Sequence, residues 1–232
     1  MTVTDPMSAP FVDPVADTDR EMIVAAMLDH VAFDGWTLRA VRRALTDLGR
    51  DPADAPILFP GGAAEMIELW SAMTDRAMLT EATAADLAAY RTPGRVRAII
   101  TIRFDLVRPH KEALRRALAL LALPQHARLA AKLTARTVDQ IWFAAGDRSA
   151  DFAWYTKRAL LAGVYSSTVL FWLRDGSEDD QDTVAFLDRR LNNVAQIGKL
   201  RKRIEGFAPR LPGRFLGRFA DRVAGANPSP PA

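Results

Sequence analysis

Apolar residues recur at three- and four-residue spacing along most of the chain, the period of a helix with one buried face. Ile23, Ala26, Met27 and Val31 make the first stripe, with Thr18 or Asp19 placed to cap it and Gly35 to stop it. Leu38, Val41, Leu45 and Leu48 make the second, opening at Thr37 and ending at Gly49. Pro52, Pro56, Pro60, Gly61 and Gly62 then leave room for only a very short helix before a long amphipathic run at 63–90. Thr92-Pro93 reads as a cap with a first-turn proline, and the stripe resumes at Val96, Ile99, Ile100, Phe104 and Val107. Pro109 and Pro124 bound helices at 110–123 and 125–145, and further helices are predicted at 151–174, 180–204 and 211–224. No segment alternates with period two, and no hairpin or fixed-period repeat is present. The expectation is an all-α bundle of about nine or ten helices. Its parts are a disordered acidic start (1–17), a helix-turn-helix-like region (18–62), a helical domain (63–205), an amphipathic helix (206–225) and a disordered tail (226–232).

Charge changes this picture more than composition does. The 232 residues carry a formal charge of only +3, but residues 1–90 hold 6 basic and 15 acidic groups, whereas 91–116 and 199–222 each hold 8 basic and 2 acidic. A partner of negative charge therefore belongs at the C-terminal end. The absence of cysteine excludes disulfides and thiolate chemistry. The longest apolar run, Ala117–Leu123, is too short to span a bilayer. Four aspartates precede the first arginine, Arg20, which is unlike a secretory or mitochondrial leader and predicts a cytoplasmic protein or a mature chain.

Candidate chemistry is sparse. His30, His110 and His126 are scattered, without the Glu-x-x-His or His-Glu-x-x-His spacing of metal sites, and no Gly-rich phosphate cradle occurs. Gly163-Val-Tyr-Ser-Ser167 lacks the second glycine and preceding strand of a nucleophile elbow. Glu65 and Glu68 occupy consecutive turns of one face. No cofactor, metal or catalytic residue is expected, and the protein reads as a non-enzyme.

The order of the first four helices resembles TetR-type repressors, in which the short third helix enters the major groove. The charge opposes that role here: Ala44–Trp70 holds five acids (Asp47, Asp51, Asp54, Glu65, Glu68) against Arg50 alone. The DPADAPIL segment offers no side chain suited to phosphates or base edges. No nucleic-acid partner is expected, and a TetR-type ligand-responsive transcription regulator is the alternative function.

The segment Ala144–Leu191, with its DFAWYTKR run at 151–158, together with RPHKEALRRALALLALP (108–124) and VDQIW (138–142), resembles the Coq9-type family of ubiquinone biosynthesis accessory proteins over most of residues 20–205. The resemblance implies a TetR-like fold, usually dimeric, that has lost DNA binding. It further implies an apolar site that binds an isoprenoid quinone precursor or phospholipid and presents it to the membrane-bound hydroxylase of the pathway. The patch that would meet this hydroxylase corresponds to Asp139, Ile141, Trp154, Tyr155 and Arg158.

The residues carry readings of their own. Trp154 and Tyr155 project about 100° apart on a helix, so one narrow core stripe cannot take both; they are interface anchors or core and dimer packing. Asp151 is placed to cap their helix. Ala159, Gly163 and Ser167 form a small-residue stripe that suits a dimer seam or a groove wall. Leu160, Leu161, Val164, Leu170 and Phe171 are core, or pocket lining if the fold leaves a cavity. Near the C-terminus, Arg214, Arg218 and Arg222 flank Leu211, Phe215, Leu216 and Phe219. That pattern suits an anionic membrane surface, a helix docked on its own body with a solvated basic face, or a partner-binding tail. Together these readings predict a peripheral protein on the cytoplasmic face of a bacterial inner membrane.

Overall fold

The computed structural model describes residues 14–147 and 153–206, and side chains over 18–147 and 154–194. Among the described residues there are nine α-helices and no strand. They are α1 (Pro14–Asp34), α2 (Leu38–Asp47), α3 (Ala55–Leu58), α4 (Gly62–Ala84), α5 (Thr92–Val107), α6 (Lys111–Leu121), α7 (Ala127–Ala144), α8 (Ala153–Trp172) and α9 (Gln181–Gly206), with 3-10 turns at 52–54, 108–110, 124–126 and 178–180. The described residues up to Leu191 belong to one compact unit, and the described part of a second unit, 192–206, is helical.

The predicted stripes are the buried faces. Ile23, Val24, Met27 and Val31 of α1 pack with Ala40, Val41, Ala44 and Leu45 of α2. Gly49, at φ 68°, lets the chain leave α2 through paired bonds, Gly49 N–H to the Thr46 carbonyl and Arg50 N–H to Leu45. Thr37, expected as the start of this helix, caps α2, its hydroxyl accepting the Ala40 N–H at 3.5 Å. Trp36 locks the first helices to the body: its ring lies 5.3 Å from that of Trp70 in α4, and its Nε1 donates to the Ala113 carbonyl of α6 at 3.0 Å.

Three boundaries differ from expectation. The first helix starts at Pro14, so residues 14–17, expected in the disordered start, are helical and Thr18 and Asp19 lie inside α1. The fourth helix stops at Ala84 rather than Tyr90; Asp86 accepts the Ala88 N–H at 3.2 Å, offering the backbone a turn in place of a helical bond. Thr92 is the first residue of α5, with Arg91 in the capping position. The helix expected at 211–224 and the cap expected at Asp151 lie outside the described residues.

Candidate functional site

Five helices, α4 to α8, leave a cavity of about 320 Å³ between them. That falls at the lower end of small-molecule pockets. Its apolar wall comes from Ile67 and Trp70 of α4, Phe104 and Val107 of α5, Leu114, Ala117, Leu118 and Leu121 of α6, Leu133 of α7 and Val169 of α8. The amphipathic stripes that build the core continue into this wall, since each helix turns one apolar face inward. All four residues that α6 contributes are leucine or alanine.

One end of the cavity is polar. Asp75 of α4, 4% exposed, accepts from Arg103 Nη1 at 2.6 Å, Thr137 Oγ1 at 3.0 Å and Arg136 Nε at 3.2 Å. Arg103 Nε donates in turn to the Tyr165 hydroxyl of α8 at 2.8 Å, and the guanidinium lies 5.9 Å from the Tyr165 ring centroid. Burial alone would depress the Arg103 pKa, but the attraction and hydrogen bonds of Tyr165 and Asp75 outweigh it and hold it above the ordinary arginine value. Arg103 is thus a permanent cation inside the fold. None of these polar residues is a site candidate on sequence grounds, yet a signal exists. Arg103 interrupts the apolar stripe Ile99, Ile100, Phe104 and Val107, and a charge on a core face needs a partner or a task.

The pocket residues expected from sequence are divided by the structure. Leu170 lines the cavity at its rim. Leu160, Leu161, Val164 and Phe171 do not line it, which corrects that expectation. Leu161 and Val164 are buried in core packing together with Thr168 and Trp172, one face of α8. The cavity is served by the neighbouring face, Tyr165, Ser166 and Val169, turned about 100° by a one-residue step. Phe171 stacks on Phe186 of α9 at 4.5 Å between centroids.

The expected partner patch is likewise divided. Asp139 and Arg158 form an ion pair, Nε to Oδ1 at 2.5 Å, which ties α7 to α8. The Arg158 guanidinium sits 3.7 Å from the Trp154 ring centroid, and Tyr155 meets Trp154 edge-on at 4.7 Å. Tyr155 is 70% exposed, so these four residues make one surface cluster with an aromatic at its front. Ile141 is fully buried on the core stripe of α7 with Leu133, Thr137 and Val138, and is corrected from a surface residue to a packing residue. Ala159 and Gly163 are exposed, and a Cβ added at Gly163 would meet nothing within 4 Å. None of Ala159, Gly163 and Ser167 lines the cavity.

At the helix-turn-helix-like start, α3 has four residues, and Ile57 on it is 78% exposed beside exposed Pro56. Leu211, Arg214, Phe215, Leu216, Arg218, Phe219 and Arg222 lie outside the described residues. Among the described residues no group of three or more His, Asp or Glu is placed to hold a metal, and no helix is long and apolar enough to cross a membrane.

With this geometry in hand, comparison with known proteins is specific. The COQ9 family model matches residues 127–198, the stretch carrying α7, α8 and the aromatic cluster. The mitochondrial ubiquinone biosynthesis protein COQ9 of Rattus norvegicus is 32% identical over 204 residues, covering 84% of this chain and 64% of that protein. Its Homo sapiens counterpart is 30% identical over 203 residues, covering 84% and 63%. The chain thus spans a little under two thirds of the length of these relatives. In fold it is similar to a TetR transcriptional regulator from Nitrosomonas europaea, with a TM-score of 0.63 at 24% identity, covering 77% of this chain and 99% of that one. By these sequence relationships the chain is a member of the COQ9 family, built on a TetR-like all-α fold.

Proposed function

We propose that this protein is a non-catalytic lipid-binding accessory protein of ubiquinone biosynthesis, which holds an isoprenoid quinone precursor and presents it to the hydroxylase of the pathway. The observation that carries the reading is the α4–α8 cavity: about 320 Å³, walled by hydrocarbon and polar at one end, in a chain whose relatives are named for ubiquinone biosynthesis. Binding is by shape and apolar burial, at roughly 25 cal/mol for each Å² removed from water. The Trp154–Tyr155–Arg158–Asp139 cluster is the surface for the hydroxylase, because large exposed aromatics beside an arginine are the composition of interface hot spots. The open stripe Ala159–Gly163 on α8 suits a second copy of the chain. Leu211–Arg222 carries the pattern of a membrane-surface helix, giving the protein a peripheral seat on the bacterial inner membrane.

Native mass spectrometry of the purified protein tests the central claim. An isoprenoid or phospholipid adduct released on denaturation supports it; a lipid-free protein that also takes up no added isoprenoid quinone overturns it.

A further inference from the structure

The cavity has a direction. Its lining residues Arg103, Thr74 and Thr137 are buried, whereas Ala122, Ser166 and Leu170 are exposed. The Arg103–Thr74–Thr137 end is therefore the buried end, with half-buried Tyr165 beside it, and the open side runs along Ser166, Leu170 and Ala122. On α4 the lining runs from Thr74 back to Ile67, and on α7 from Thr137 back to Ala130. Each run is about 10 Å at the rise of a helix. Over that distance the wall passes from Arg103, Thr74 and Thr137, through Ser71 and Thr134, to Ile67 and Ala130.

The inner end also has unspent polar capacity. Arg103 shares the Asp75 carboxylate with Arg136, which is 30% exposed and lies outside the cavity lining, so Arg103 is the guanidinium that meets the apolar space. Arg103 uses Nε and Nη1, and its Nη2 makes no hydrogen bond among the described residues. The Tyr165 hydroxyl accepts from Arg103, so its own hydrogen remains to be donated. Arg103 is already neutralised by Asp75, so what remains for a ligand is a pair of hydrogen-bond donors beside the apolar wall, Arg103 Nη2 and the hydroxyl of the half-buried Tyr165.

Resting on the lipid-binding reading above, we propose that the ligand enters head first. An oxygen acceptor on its head group, a quinone carbonyl or a lipid phosphate, is seated against Tyr165 and Arg103, with its hydrocarbon tail running along α6 to the rim. Tyr165 and Arg103 are the residues that set head-group choice and orientation, and α6 takes any tail of the right width.

Equilibrium dialysis against three cyclodextrin-solubilised probes tests this: decyl-1,4-benzoquinone, decyl phosphate and decylbenzene. The wild-type protein should retain a probe with an oxygen head about tenfold more tightly than decylbenzene, the worth of one good buried hydrogen bond. Preference for the quinone or for the phosphate supports the assignment and names the source of the head. Arg103→Ala would strand Asp75 and is prone to misfolding, so the informative variant is Tyr165→Phe. It keeps the ring and its stacking on Phe104, at 6.5 Å between centroids. It should bind decylbenzene as before and lose most of the preference. Equal retention of all three probes by the wild type overturns the head-first assignment while the apolar-cavity reading stands. Retention of none overturns both, and an undiminished preference in Tyr165→Phe overturns the part given to Tyr165.

Discussion

Asp75 is the residue on which most of the interior polar network depends. Its carboxylate is nearly inaccessible and receives bonds from α5 and α7 at once. Asp75→Ala would leave the Arg103 cation buried without a counter-charge. Breaking a buried pair on one side costs about 3–5 kcal/mol, so urea denaturation should show a fall of that order in unfolding free energy. A loss under about 1 kcal/mol would mean that water reaches Arg103 freely. Asp175, at the α8–α9 turn, is a different case. Burial pushes its pKa up, but hydrogen bonds from the hydroxyls and N–H groups of Ser177 and Thr183 outweigh this and hold it well below the usual carboxylate range. A folded-state pKa below the unfolded value of about 3.9 gives stability that is present above that pH and lost as the pH falls through and below it. Acid denaturation followed by circular dichroism should thus be shallower between about pH 4 and 2 in Asp175→Asn than in the wild type, and an identical profile would remove Asp175 from the acid response.

At the scale of elements, boundaries were legible where one residue type decides them. Gly49 ends α2 because only glycine takes φ 68° without strain, so Gly49→Ala should cost about 1 kcal/mol in thermal unfolding. The end of α4 was not legible: Asp86 and Tyr90 suit a helix face by pattern, and only the local bond to Ala88 shows that the backbone turns. For α8, periodicity marked the helix but not which of its faces meets space. Three faces have three fates: Leu161 and Val164 in the core, Tyr165 and Val169 on the cavity, Gly163 in the open. A Cβ at Gly163 meets nothing within 4 Å among the described residues, so Gly163→Leu points its side chain into open space there. Its melting temperature should stay within a few degrees of the wild type, while sedimentation should show weakened self-association. Dimers that persist unchanged at micromolar concentration would place the seam elsewhere.

For the whole molecule, the unequal distribution of charge is the property with the most direct consequence. Residues 199–222 carry 8 basic groups against 2 acidic, so removing 207–232 should abolish salt-sensitive co-sedimentation with vesicles containing phosphatidylglycerol. Sedimentation that survives the truncation would move the membrane contact elsewhere in the chain. The likeness to a TetR regulator gives the fold alone, and the helix-turn-helix-like start presents Pro56 and Ile57 at its short third helix. With five acids against one base over Ala44–Trp70, no salt-sensitive gel shift is expected with any operator.

Helix type, approximate helix number and the family were determined by the sequence alone, because they rest on local periodicity, stop residues and contiguous motifs. What only the tertiary structure decided is which apolar residues surround a void and which fill the core. Leu161, Leu170 and Phe171 are all large apolar residues of one helix, yet they end in core, cavity rim and an aromatic stack. Asp75, Arg103, Thr137 and Tyr165 lie up to 90 residues apart in the chain and become one group only when four helices meet. A cavity is a property of how helices fail to close on one another, and no single helix encodes it.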